Sequence, residues 1–395
     1  MKQFLVKVKS GFIIFSIFAA RVILRVFYIF PINQKKIVFS SFNGEQYSCS
    51  PYYIYQNIIS RYPDVYKVYW HTRDKNQNHS MLNAKDTIIV QSTLPYFYHM
   101  LTSRFIIVNN SVHVILPIRN HQIVINTWHG GGLFKKINKT IESRKFVDTI
   151  IRRIHNQTNN LFLASSNAFE QVVIRKRFNY SGQVLETGLP RNDIFFTANT
   201  IDISTNVKKY FNIPPEGKII LYAPTYRGAW NSPSMNILKE NTIDIPNLVK
   251  QLKHKTGNDY YFIFRGHHAF KDSICYDCID ATNYPDMQKL LVSTDIFITD
   301  YSSSLWDFSL TFKPCVMFIP DIENYLSDPG LETDYREWPF PSAKNNDELC
   351  YQILNFNNED YKKNVLMYHQ QYGSFENGCA TEKVVEYIRN NGIIG

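Results

Sequence analysis

An apolar run, Ile123-Val124-Ile125, leads into Asn126-Thr127-Trp128-His129-Gly130-Gly131-Gly132 and then Leu133-Phe134-Lys135-Lys136. A titratable imidazole therefore follows a strand-like stretch and precedes three glycines. Glycine lets a backbone approach a ligand closely, and the start of a following helix offers unpaired N–H groups to an anion. The chemistry indicated is proton transfer by His129 beside a phosphate-binding turn that opens a basic helix. The same residues also suit a plain tight turn with an incidental histidine.

Four other stretches concentrate polar chemistry at the ends of strand-like runs. Thr299-Asp300-Tyr301-Ser302-Ser303-Ser304 offers consecutive hydroxyls and backbone N–H groups suited to a phosphate or diphosphate, with Asp300 able to accept from a sugar or glycerol hydroxyl. An ordinary serine helix cap explains one of those serines but not three. Phe264-Arg265-Gly266-His267-His268 carries a guanidinium able to grip phosphate bidentately and an imidazole able to protonate it. Gly188-Leu189-Pro190-Arg191-Asn192-Asp193 and Leu221-Tyr222-Ala223-Pro224-Thr225-Tyr226-Arg227 each present an arginine at a turn. The chain has no G-x-x-x-x-G-K-[ST], no complete G-x-G-x-x-G, no H-E-x-x-H and no Asp-x-Asp pair. A diphosphate would then be neutralised by arginines, histidines and helix starts, with no metal and no cofactor.

The elements that must position these residues alternate. Strand-like runs at 36–42, 66–70, 87–90, 105–108, 122–125 and 161–164 are separated by helix-like segments such as 51–62 and 168–177. The alternation restarts at 218–223, 260–264, 295–299 and 315–319, with helices expected at 247–255 and 287–292. This pattern predicts two α/β units with parallel sheets covered on both faces, whose ligands bind beyond the carboxyl ends of the strands. The polar, weakly patterned stretch 197–208 reads as the linker between them.

The first 34 residues hold Lys2, Lys7 and Lys9, then an apolar stretch from Gly11 to Phe30 interrupted by Arg21 and Arg25 one helical turn apart. Two arginines make a membrane-spanning helix costly, so this segment reads as an amphipathic helix lying on a membrane. A helix packed on its own domain fits equally, and a single-span anchor is the third reading. A formal net charge of +9 points to an anionic partner, and the absence of any zinc-finger, RNA-recognition or basic-zipper pattern argues against nucleic acid. Six scattered cysteines suit a reducing compartment, with Cys275-x-x-Cys278 read as coincidence.

Taken in order, these motifs resemble the CDP-glycerol:polyglycerophosphate glycerophosphotransferase family of teichoic-acid primases and polymerases. The resemblance runs from Lys35–Gly44 and Tyr47 through Thr127-Trp128-His129-Gly130, the Gly188–Asp193 turn, 221–227, Arg265-x-His267 and Asp300-Tyr301-Ser302-Ser303 with Asp307, to Gly378, Ala380 and Thr381. It implies a GT-B-like α/β architecture: two Rossmann-like domains facing each other across a cleft, preceded by the amphipathic helix. The domains would be 1–34 (membrane-associating), 35–197 (acceptor side) and 198–395 (CDP-donor side). It also implies a CDP-glycerol or related CDP-alditol donor, a lipid-linked or polymeric acceptor, and a location on the cytoplasmic face of the cell membrane. The family's two functional histidines match His129 and His267, with His268 standing where a proline is usual. Gly131-Gly132 replace a usual Thr-Pro, and Pro339-Phe340-Pro341 a usual Pro-Gly-Pro.

On this reading His129 is the general base. Arg265 and His267 hold the diphosphate, and Ser302, Ser303, Pro224, Thr225, Arg227 and Asp300 complete the donor site. Gly130, Arg191, Asn192 and Asp193 line the cleft. The product would be teichoic acid or a capsule-like polymer. A GT-B glycosyltransferase using a sugar nucleotide is the alternative, and an inactive membrane-bound scaffold is a more distant one.

Overall fold

The computed structural model describes the chain apart from residues 1, 75–80, 84, 86, 137–144, 226–227, 230–231, 234–242, 267–276 and 393–395, and apart from the side chains of residues 2–9, 145, 228–229 and 232–233. It divides into two compact units. Unit 1 comprises Met1–His129, Ile137–Asp193 and Phe375–Gly395; unit 2 comprises Gly130–Lys136 and Ile194–Ser374.

Unit 1 is built on seven parallel strands: β1 (Asn33–Ser40), β2 (Lys67–Thr72), β3 (Thr87–Gln91), β4 (Ser103–Val108), β5 (Ile123–Asn126), β6 (Leu161–Leu163) and β7 (Gln183–Leu185), in the order β3-β2-β1-β4-β5-β6-β7. Successive side chains of a strand point to opposite faces. Ile37, Phe39, Phe105, Ile107 and Ile125 thus pack under the helices Cys49–Arg61 and Ala380–Asn391. Val38, Ile106, Val108 and Val124 pack on the other face with Leu24, Met100 and Leu101. Burial on both faces explains why these strands read as continuous β-branched runs.

Unit 2 repeats the plan. Strands β8 (Lys218–Tyr222), β11 (Tyr260–Phe264), β12 (Ile279–Asp280), β13 (Ile296–Thr299), β14 (Cys315–Phe318) and β15 (Ser342–Ala343) form a parallel sheet in the order β12-β11-β8-β13-β14-β15, and β9 (Gly228–Ala229) pairs with β10 (Ser232–Pro233). Leu221, Phe297 and Met317 face one core with Trp306; Ile220, Ile298 and Val316 face the other with the helix Ile245–Thr256. In both sheets the strand order reverses beside the first strand of the unit. Ligands of such sheets lodge at that reversal, beyond the strand carboxyl ends.

Two stretches differ from the sequence expectation. The supposed linker contains a helix, Thr200–Tyr210, within unit 2; only Val207 in it is buried, so the sequence carries no apolar period there. Cys278 is disulfide-bonded rather than a free thiol, while Cys49, Cys315, Cys350 and Cys379 are free; Cys275 lies outside the described residues.

The N-terminal helix is present as Lys2–Leu24, continued by a 3-10 turn, Arg25–Ile29. Its segment Ser10–Ile29 is long and apolar enough to cross a membrane, with a mean hydropathy of 2.1. Ile17 and Leu24 are buried against unit 1, while Phe12, Phe15, Phe18, Val22 and Ile23 are exposed. Arg21, expected on a polar face, instead donates from Nη1 to the carbonyls of Val114 (2.8 Å) and Leu116 (2.7 Å).

Candidate active site

His129 stands at the sheet reversal of unit 1, where β1 and β4 end and the neighbouring β5 runs out. Asn126 Oδ1 accepts from the Trp128 N–H at 2.9 Å, and Trp128 takes a left-handed backbone with φ of 52°. A bulky residue adopts that conformation only where its surroundings enforce it. The turn aims His129 at the end of β4, where its Nδ1 lies 2.8 Å from the Asn109 carbonyl. A carbonyl only accepts, so Nδ1 carries the proton and Nε2 keeps its lone pair. The ring stacks on Trp128 (4.3 Å between centroids) and is flanked by Phe42 at 5.7 Å.

Asn109 is fully buried and locked in turn. Its Oδ1 accepts from Phe42 N at 2.7 Å, and its Nδ2 donates at 3.0 Å to Ser41 Oγ, which itself donates to the Ser48 carbonyl. The loop it ties down, Phe42-Asn43-Gly44, has positive φ at all three residues. His129 is partly accessible, yet the enclosing protein atoms push its pKa down to about 4; the Asn109 hydrogen bond raises it and nearby Arg191 lowers it. The imidazole is therefore neutral at physiological pH, which a base requires. Asn109 was not singled out in the sequence, although an Asn109-Asn110 pair directly after the apolar run 105–108 is a polar strand-end signal of the same kind as the others.

The Pro190–Phe196 turn divides in function. Arg191, 3% exposed, donates to Cys49 Sγ and sits close enough to bias His129. Asn192 and Asp193 face the returning C-terminal segment. Asn192 Nδ2 donates to Glu376 Oε1 at 2.9 Å, and the Asp193 carboxylate accepts from the backbone of Ala380 (3.0 Å) and Thr381 (2.7 Å). Asp193 thereby caps the last helix, where a negative charge is favoured. Burial raises its pKa against those hydrogen bonds.

After His129 the chain enters unit 2, and Gly130 is buried there. The expected helix start does not follow the glycines. Residues 131–136 are extended or bent: Lys135 bridges to Leu331, and Lys136 N donates to the Gly330 carbonyl. Phe134 packs edge-on against Trp338 at 4.7 Å. A Cβ on Gly131 would lie 2.3 Å from Trp306 Cδ1, and one on Gly132 would lie 2.1 Å from the Phe134 ring. The glycines serve close packing of this strap.

The second cluster occupies the sheet reversal of unit 2, between the ends of β8 and β13. Asp300, 1% exposed, accepts from Thr225 N at 2.9 Å on both carboxylate oxygens, from Thr225 Oγ1, and from Tyr301 N. It thus clamps the loop Ala223-Pro224-Thr225 to β13. Ser302 and Ser303 are partly accessible, and Ser302 Oγ accepts from Ser304 Oγ at 2.7 Å. The helix they open, Ser304–Ser309, is only six residues long. Arg265, at the end of β11, turns its Nη1 to the carbonyls of Tyr284 (2.6 Å) and Ala281 (3.3 Å), and burial lowers its pKa to about 10 while Asp286 opposes the shift. It stays charged at neutral pH. The structure therefore brings Pro224, Thr225, Asp300, Ser302 and Ser303 together, with Arg265 near the neighbouring strand end. Arg227, His267 and His268 lie outside the described residues. No group of three or more His, Cys, Asp or Glu side chains gathers as a metal site among the described residues.

A family model for the CDP-glycerol:poly(glycerophosphate) glycerophosphotransferases matches residues 22–390. The chain belongs to this family. Its relatives include the teichoic acid poly(glycerol phosphate) polymerases of Bacillus subtilis strain 168 (29% identical, covering 91% of this chain and 49% of that protein) and Bacillus spizizenii W23 (26% identical, covering 93% and 95%). The chain thus spans about half the length of the first and nearly all of the second. The structure of the wall teichoic acid polymerase TagF superimposes with a TM-score of 0.79 at 24% identity, covering 99% of this chain and 98% of that one. Two Rossmann-like parallel-sheet units preceded by an apolar helix, a GT-B-like arrangement, are therefore the fold of this family member.

Proposed function

We propose that the protein transfers glycerol phosphate, or a related alditol phosphate, from CDP-glycerol to a hydroxyl of a lipid-linked or polymeric acceptor in teichoic-acid synthesis, releasing CMP. Family membership supports the reaction class. The observation that carries the mechanism is the pinned Nδ1 of His129, which leaves Nε2 as a base in a neutral, enclosed imidazole.

Unit 1 is the acceptor side. His129 Nε2 takes the proton of the acceptor hydroxyl as its oxygen attacks the β-phosphorus. A new P–O bond forms to the acceptor, the P–O bond to the CMP phosphate breaks, and that phosphate leaves with the bonding electrons. Arg191 sits beside the imidazole, where a cation favours approach of anionic substrate. Unit 2 is the CDP side. Ser302 and Ser303 supply hydroxyls to phosphate, and Asp300 holds the loop of Pro224 and Thr225 in place for the nucleotide. Arg265 offsets charge on the departing CMP from its carbonyl-anchored position, with His267 and Arg227 as further donor-site residues.

The exposed apolar face of the N-terminal helix suits the hydrocarbon boundary of a bilayer, and we place the protein on the cytoplasmic face of the cell membrane with that helix against the lipid. The experiment is CMP release from CDP-glycerol in the presence of a lipid-linked acceptor, with and without chelator. His129→Ala is expected to lower kcat about 10²–10⁴-fold, the usual contribution of a general base, at unchanged melting temperature. Near-normal turnover by a folded His129→Ala would exclude the base assignment.

A further inference from the structure

Unit 1 contains a cavity of about 570 Å3 at the carboxyl ends of β1 to β4, within the ~300–1,000 Å3 range of pockets that enclose a small ligand. Its wall carries a hydrogen-bonded chain absent from the transfer scheme. His71, 5% exposed, has Nδ1 3.0 Å from Ser40 Oγ and Nε2 2.7 Å from Ser92 Oγ, and its ring lies 4.3 Å from that of Tyr96. A neutral imidazole donates through one nitrogen and accepts through the other. One serine therefore has a proton left to donate into the cavity, and the other has lone pairs left to accept. Switching the tautomer exchanges those roles, so the wall answers a partner that both donates and accepts, as an alcohol hydroxyl does. A phosphate only accepts, and fixed cations would serve it better.

The remaining lining agrees. Burial lowers the pKa of His71 and His155 to about 4 and that of His113 below its ordinary value, so all three imidazoles are neutral at physiological pH. Arg73 is the one arginine or lysine among the lining residues, and it is paired with Glu45 at 3.1 Å. Tyr96 and Phe97 add aromatic surface. A second cavity of about 310 Å3 shares Ser111, Ile151 and His155 with the first and reaches Trp128, whose ring stacks on His129. On the other side, Val114 lines the cavity and its carbonyl holds Arg21 of the apolar helix.

We infer that this cavity is a subsite for a neutral polyhydroxylated unit of the acceptor, a sugar ring or an open-chain alditol, rather than for the acceptor's phosphates. The inference rests on the acceptor-side reading of unit 1 given above. It places Ser92 and Tyr96 as acceptor-specificity residues remote from the bond being made.

The test uses the full chain and two variants at accessible lining positions, Ser92→Ala and Tyr96→Ala, each checked for an unchanged melting curve. Saturation-transfer NMR with maltose and with ribitol separates the cyclic from the open-chain source, and glycerol 3-phosphate serves as the anionic competitor. The expected result is transfer to one neutral probe, at least fivefold weaker in both variants and insensitive to glycerol 3-phosphate. In turnover, KM for an acceptor bearing that unit should rise tenfold or more, with kcat and the KM for CDP-glycerol unchanged. Displacement of the probe by glycerol 3-phosphate, or an unchanged acceptor KM in both variants while CMP release continues, would overturn the subsite and leave the transfer reading standing. Variant-sensitive polyol binding without any CMP release would leave a polyol-binding cavity but overturn the transfer reading, and with it the assignment of that cavity to an acceptor.

Discussion

Acidification gives the sharpest test of His129. An imidazole with its ordinary pKa of about 6.5 would be only about 9% neutral at pH 5.5, and a base in that state would lose roughly tenfold in rate relative to pH 8. With its pKa pushed down to about 4 by burial, His129 is about 97% neutral at pH 5.5. The expected profile of kcat/KM for CDP-glycerol is therefore flat from pH 8 to about 5.5, because kcat/KM reports the ionisation of the free enzyme. The kcat profile should turn down at a higher pH, since a bound anionic donor favours the charged imidazole. The assay is initial-rate CMP release at limiting CDP-glycerol, with circular dichroism at each pH. That control matters because His71, His99, His155 and His369 also have pKa values lowered to about 4 by burial. Their protons are bound by the unfolded chain only, so stability is at its full value above about pH 6.5 and falls as the pH drops toward 4. A tenfold loss of kcat/KM at pH 5.5 in a protein that is still folded would refute an enclosed, neutral His129 as the base.

Gly131→Ala places a methyl group against Trp306, which is fully buried, and should cost ~1–3 kcal/mol as an overpacking change, lowering the melting temperature by several degrees in calorimetry. An unchanged Tm would show that the strap can shift. Asp300→Asn sets an amide against the Thr225 N–H; with about 1.5–3 kcal/mol at stake in hydrogen bonds to a charged group, CMP should bind about tenfold or more weakly by calorimetric titration, and equal affinity would remove Asp300 from the donor site. Phe15→Ser combined with Ile23→Ser should abolish co-sedimentation with phosphatidylglycerol vesicles, each exposed apolar side chain being worth up to ~1.5–3 kcal/mol if buried in lipid; full retention would assign membrane contact elsewhere.

Both sheets were legible because parallel strands buried on two faces must be continuously apolar, and runs such as 105–108 and 315–319 cannot be mistaken for solvated segments. The short edge strands β7, β12 and β15, two or three residues each, carry too few side chains to leave a period. The helix Thr200–Tyr210 escaped for a similar reason, since a single buried valine makes no stripe.

Residue order alone placed His129, Thr225, Asp300 and Ser302 at strand ends, because a polar residue directly after an apolar strand has few other places to go. What each one does there was decided by partners distant in sequence. Asp193 became a helix cap because the chain returns at Ala380 and Thr381, 187 and 188 residues later. Arg265 turned toward carbonyls 16 and 19 residues ahead, and Asp300 closed on Thr225, 75 residues before it. Gly131 is glycine because Trp306 occupies the space a side chain would need. Hydrophobic periodicity is a local property and can be read from a window of sequence. A hydrogen bond or a steric exclusion between distant residues exists only once the sheets have set the distances, and for that reason the tautomer of His129, fixed by Asn109 twenty residues earlier, belongs to the tertiary structure alone.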